Sequence, residues 1–260
     1  AVYYRNRWLF RKVAYLNYKE KYDAAQKTID DNFFVPELSK MRIDSQVFHG
    51  QIEEAIESLD RAIECTEDSS YVHSCHERKM ELLETTEDTS RLAEELEYLI
   101  LNSYSSEYEY YLQLKHVLEQ LPANSPNRLH TIIEKLVDKS RFHSQKDTAR
   151  ICAEENMIPQ LAECLSWNND YNDECYMVLA EYGKLLDSST RRKIVEEHID
   201  HIRTRAIPTD SRRYCYIVSS MKALRDSCSE GQAAVTKLIE EFRTQYSRRP
   251  SMMRELNKLR

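Results

Sequence analysis

Cysteine and histidine are the residues here with the most chemistry to offer, and their spacing decides how much of it is usable. Cys65, His73, Cys75 and His76 fall within one short segment, CTEDSSYVHSCH. Structural zinc sites draw their ligands as close pairs from two turns, Cys-x2-4-Cys or His-x3-5-His, and neither pair occurs. On a helix His73 and His76 share a face while Cys75 points elsewhere. The expectation is therefore a partly buried Cys75, solvent-facing histidines and no metal. His198 and His201 stand three apart beside Glu197. A zincin helix needs His-Glu-x-x-His, with the glutamate between histidines four apart, so an ordinary surface helix is expected.

Nucleophile elbows, Walker loops and dinucleotide fingerprints are missing from the sequence. The reading is a chain with no catalytic residues and no cofactor. Two compositions stand out instead. NSYSSEYEYYLQL holds Tyr104, Tyr108, Tyr110 and Tyr111, and tyrosines serve either partner binding or packing between helices. Tyr108 and Tyr111 share a helix face from which Tyr110 diverges, so at least one of the three should be exposed. The other composition is basic: Arg191, Arg192, Lys193, Arg203, Arg205, Arg212, Arg213, Arg248 and Arg249. Arg212 and Arg213 precede Tyr214 and Tyr216, an interleaving suited to phosphate contact and base stacking, although Glu196, Glu197 and Asp200 dilute the charge.

These residues need elements to hold them. Three glycines in 260 residues leave almost no tight left-handed turns, which excludes hairpins, Rossmann loops and β-sandwiches. Charged residues at 31% and apolar ones at 41% suit amphipathic helices. The seven cysteines form an odd, widely spaced set read as reduced. Residues 1–186 hold 21 Lys/Arg against 34 Asp/Glu, a charge of −13, and residues 187–260 hold 16 against 10, a charge of +6. The C-terminal third is a basic module on an acidic body.

Ile52, Ala55, Ile56, Leu59, Ala62 and Ile63 recur at the spacing of one helical stripe. Upstream, Pro36 can open a helix whose inner face would be Leu38, Met41 and Phe48, with His49 to Gln51 as the turn. Similar pairs follow in series. Tyr22, Ala25 and Ile29 mark one, and Leu92, Ala93, Leu96, Leu99 and Ile100 mark another after a polar turn at Thr85 to Asp88. Asp187 to Ser189 supply cap oxygens for a later helix, and Pro250 opens the last. The pattern predicts an all-α chain, a right-handed α-α superhelix of about seven helix pairs, with residues 1–104 and 105–260 forming one continuous solenoid. LPANSP at 121–126 would be its stiffest joint. A compact bundle is the competing architecture.

HGQIEEAIESLDRAIE resembles the second half of a tetratricopeptide repeat, with Gly50, Ala55 and Ala62 at the small-residue positions; YKEKYDAAQKTI is a poorer copy. Residues 145–260 resemble the C-terminal helical region of bacterial SWIM zinc-finger proteins. The closing residues that carry this likeness are Tyr246, Arg248, Arg249, Pro250, Leu256 and Leu259. The Cys-x-Cys…Cys-x-His finger of that family is absent. The resemblance implies a place beside nucleic-acid-remodelling ATPases, with any zinc-binding part upstream of Ala1.

The function expected from all this is a non-catalytic scaffold for a protein or peptide partner, part of a longer bacterial protein and cytoplasmic. The candidate contacts are Tyr108, Tyr110, Tyr111, Arg212, Arg213, Arg248 and Arg249. Nucleic acid, met by the basic third, is the second candidate partner. A membrane is not expected, because no stretch approaches the roughly 20 apolar residues of a span.

Overall fold

The computed structural model describes residues 2–103, 107–121, 125–139, 144–166 and 174–259. Tyr104 and Pro122 to Asn124 of the expected joint lie outside them. The chain is all-α, with no strand among the described residues. Fifteen α-helices are described: α1 Val2–Tyr18, α2 Tyr22–Asp30, α3 Pro36–Phe48, α4 Ile52–Cys65, α5 Ser69–Leu83, α6 Thr89–Asn102, α7 Glu107–Glu119, α8 Ser125–Lys139, α9 Gln145–Glu154, α10 Ile158–Ser166, α11 Glu174–Tyr182, α12 Ser188–Ala206, α13 Ser211–Ser227, α14 Ser229–Gln245 and α15 Pro250–Leu256. No described helix is long and apolar enough to cross a membrane.

Local chemistry fixes the ends of these helices. Asp68, Asp88, Asp187 and Asp210 each accept a backbone N–H from the first turn of the helix that follows. Pro36 and Pro250 occupy first-turn positions, where the missing N–H leaves no orphan. Gly50 turns the chain between α3 and α4 at φ +74, a left-handed conformation that favours glycine. Cys228 caps α14 with its thiol, Sγ accepting the Gly231 N–H at 3.3 Å.

The chain forms two compact units, Ala1–Ser103 with Leu112–Ser125, and Tyr104–Tyr111 with Pro126–Arg260. In the first, α3 packs on α4, α4 on α5 and α5 on α6, and α1 packs on α2. The α4 stripe is sealed as its spacing predicts: Ala55, Ile56, Leu59 and Ala62 are all fully buried. Burying each of the larger ones stabilises the fold by roughly 1.5–3 kcal/mol. Two expectations fail nearby. Phe48 is 85% exposed and Tyr22 is exposed too. The inner face of α3 runs through Leu38, Ser39, Ile43 and Gln46, almost opposite Phe48 on the helix. Ala25, Thr28 and Ile29 carry the inner face of α2 without Tyr22.

In the second unit the helices stack in two rows. One runs α9, α11, α13, α15 and the other α10, α12, α14, each helix touching the next in its own row. The pairs α9 with α10 and α13 with α14 join the rows. This local, neighbour-on-neighbour packing is compatible with helical repeats.

Candidate functional site

A cleft in the basic third lies between α12 and α14. Asp187 fixes the start of α12, its carboxylate accepting the Ser189 and Thr190 N–H groups at 2.8 and 3.1 Å. Ile194, Val195, His198, Ile199 and Ile202 then turn inward. On the facing helix, Gly231 permits a close approach: a Cβ there would stand 2.2 Å from the Leu224 carbonyl oxygen of α13. Together the two helices enclose about 690 Å³ of open groove.

Its floor is apolar, from Val195, Ile199, Ala233 and Ala234, and its rim sets Arg192, Arg203 and Lys237 against Glu196, Asp200 and Glu230. Several of these charges are already paired. Arg203 donates to Glu241 and to Asp200, both at 2.8 Å, and Arg191 reaches Glu230 at 3.1 Å. Glu230 is held down at about 2, first by its own backbone N–H and then by Ser229, Ser188 and Arg191. The groove is therefore a balanced polar rim over an apolar floor, with no surplus of positive charge.

Beneath it lies His198, which is fully buried rather than on a surface helix. Its Nε2–H donates to the Leu165 carbonyl at 3.0 Å and its ring meets Tyr176 at 5.2 Å. Burial pushes its pKa down to about 4, so the imidazole is neutral at pH 7. It holds α12 on α10.

The tyrosine cluster also packs inward. Tyr110 is 8% exposed and Tyr111 fully buried, and Tyr108 is only half-buried. The Tyr111 hydroxyl donates to Glu155 at 2.5 Å and that of Tyr108 to Glu154 at 2.7 Å. The Arg150 guanidinium lies 3.6 Å from the centre of the Tyr108 ring. These bonds fasten the first turn of α7 to the end of α9. Burial, then the Glu155 carboxylate, raises the Tyr111 phenol well above its usual range. The expectation that at least one of the three is exposed fails, because Tyr110 and Tyr111 fall on the buried stripe of Leu114, Val117 and Leu118 and Tyr108 lies at its edge.

The arginines separate into two kinds. Arg249 is structural: its guanidinium donates to the Ala206 and Ile207 carbonyls at 2.9 and 3.2 Å and lies over the Tyr246 ring at 4.3 Å. The helix it caps is α12, not the preceding α14. Arg248 is exposed. The Arg212 side chain is 91% exposed and that of Arg213 is largely so, although both approach Asp210, at 3.4 and 3.5 Å. Tyr216 is 64% exposed and Tyr214 buried, so the interleaved aromatics do not form one platform.

In the first unit, Cys75 is buried as expected, but so is His76. The His76 Nδ1–H donates to the Glu95 carboxylate and its ring stacks on Tyr98 with centroids 3.6 Å apart. Lys79 bridges Glu95 at 3.1 Å and Asp60 at 2.6 Å. Burial would raise the Glu95 carboxyl, but His76 and Lys79 outweigh it and hold it below its ordinary range. This network escaped sequence reasoning. The only signal was His76 and Lys79 three apart on α5, meaningful only once α4 and α6 deliver Asp60 and Glu95. Among the described residues no three of His, Cys, Asp and Glu converge as metal ligands, and all seven cysteines are free.

No protein-family model matches the chain, and no curated protein matches it either.

Proposed function

We propose that the chain is a non-catalytic helical-repeat scaffold, a tetratricopeptide-like right-handed superhelix, that holds a segment of a partner protein in the α12–α14 groove. The observation that carries this reading is the groove's lining. Ala233 and Ala234 present accessible apolar surface over the buried Val195 and Ile199, against which a partner's side chain can pack. Three cations and three anions share the rim, which suits the mixed polarity of a polypeptide. A polyanion would meet Glu196, Asp200 and Glu230 along the same path.

The test is capture from host lysate with this chain as bait, at low and high salt and with and without nuclease, beside the variant Ala233→Trp. Ala233 is exposed, so the indole fills the groove without disturbing the core. Expected is a protein retained through salt and nuclease by the wild type and lost by the variant. Equal retention by both would refute the groove.

A second reading rests on Arg212 and Tyr216, four apart on α13 and both exposed. It makes the basic third an accessory contact to nucleic acid in an assembly of the SWIM zinc-finger type. Counterion release would then make capture steeply salt-dependent, and charge reversal at Arg212 and Arg213 would abolish it.

A further inference from the structure

We infer that the outer face of α1 is a docking seam for one partner helix that carries apolar seam residues between acidic flanks. Helix α1 has two stripes. Leu9 and Val13, with Leu16 beside them, face the core of the first unit. On the opposite side Tyr4, Trp8, Arg11, Tyr15 and Tyr18 recur at intervals of four, three, four and three. That is the heptad spacing of a coiled-coil seam, with Trp8 and Tyr15 at a positions and Tyr4, Arg11 and Tyr18 at d. All five are exposed, Trp8 by 60% and Tyr18 by 79%. The seam runs about 21 Å, nearly four helical turns.

The flanks say what covers it. In a coiled coil the e and g positions choose the partner by charge. Here they are Arg5, Arg7, Lys12, Ala14 and Lys19, and α1 contains no Asp or Glu. A second copy of this seam would set cation against cation, so self-pairing is disfavoured. An acidic helix meets Lys12 and Lys19 on one side and Arg7 on the other, and a carboxylate opposite answers Arg11. A polynucleotide fits less well. Lys12 lies over the Trp8 ring at 5.5 Å, and Lys19 over Tyr15 and Tyr18 at 5.9 and 5.3 Å, so ammonium groups stand where bases would stack. A lipid interface would accept Trp and Tyr flanked by cations but does not call for a heptad period, which favours a helix.

Trp8 reports directly on the seam, because Trp167 is the only other tryptophan and Trp167→Phe isolates it. The probes are two synthetic three-heptad helices with leucine at a and d, one with glutamate and one with lysine at e and g. Single-stranded oligothymidine and anionic phospholipid vesicles serve as competitors. Expected is a blue shift of Trp8 emission that saturates with the glutamate peptide, at an affinity at least about tenfold above that of the lysine peptide. The preference should reverse in Arg7→Glu/Lys12→Glu/Lys19→Glu, whose sites are all exposed. Equal binding of both peptides, no binding, or tighter binding of oligothymidine or vesicles would overturn the inference. So would a concentration-dependent dimer that Trp8→Ala abolishes.

Discussion

Arg249 closes the end of a helix 43 residues upstream of it, its guanidinium lying 2.9 Å from the carbonyl oxygen of Ala206. The last carbonyls of a helix have no partner within it, and here one planar cation serves two of them while stacking on Tyr246. Arg249→Ala should destabilise the chain by about 1–3 kcal/mol in urea unfolding. Arg249→Lys should rescue little, because an ammonium cannot present the same fork. Arg248→Ala, at an exposed position, should stay within about 0.5 kcal/mol of wild type.

Acid should act through His198. In the unfolded chain this imidazole takes a proton near pH 6.5, whereas in the fold burial delays it to about pH 4. Between those values the unfolded state binds the proton and the native state does not, so stability falls as pH falls. The full loss is ~3 kcal/mol, absent above pH 6.5 and complete below pH 4. His198→Gln removes the titration. From pH 7 to pH 4.5, the urea-derived stability of the wild type should drop about 2–3 kcal/mol further than that of the variant.

What the sequence could and could not convey follows from geometry. Spacing identifies residues that share one helix face, which is why the Ala55, Ile56, Leu59 and Ala62 stripe was legible and is sealed. It does not tell how many faces are covered. That limit does not explain His198, which falls on the stripe of Ile194, Val195, Ile199 and Ile202, or Tyr110, on that of Leu114 and Val117; both are buried as this spacing implies. Polar partners are harder still to foresee. Glu155 is 44 residues from Tyr111, and Glu95 is 19 from His76.

The buried network of Asp60, His76, Lys79 and Glu95 should behave asymmetrically. Glu95→Ala strands His76 in the interior and leaves Lys79 only its pair with the half-exposed Asp60, and should cost about 3 kcal/mol in chemical denaturation. The triple variant His76→Leu/Lys79→Met/Glu95→Leu removes the three enclosed members together, leaves Asp60 half exposed and should lie close to wild type, a contrast that a thermodynamic cycle over the three sites measures directly.

Two glycines should respond differently to the same methyl group. At Gly231 a Cβ would stand 2.2 Å from a backbone carbonyl, so Gly231→Ala must push α14 off α13, at about 2 kcal/mol or more. At Gly50 nothing lies within 4 Å, and Gly50→Ala should cost only about 1 kcal/mol, from its φ of +74 alone. Melting both variants beside wild type separates crowding from backbone strain.

In the second unit the described packing runs between neighbours, each helix of a row against the next and against the helices beside it in sequence. Cooperativity is then transmitted link by link, and melting resembles a fraying ladder more than the collapse of a single block. Helix α15 can peel away from α13 and α14 while the rungs before it hold. Opening free energies read by amide exchange would accordingly climb from α15 inward, with the buried positions of α12 and α13 the last to surrender their protons.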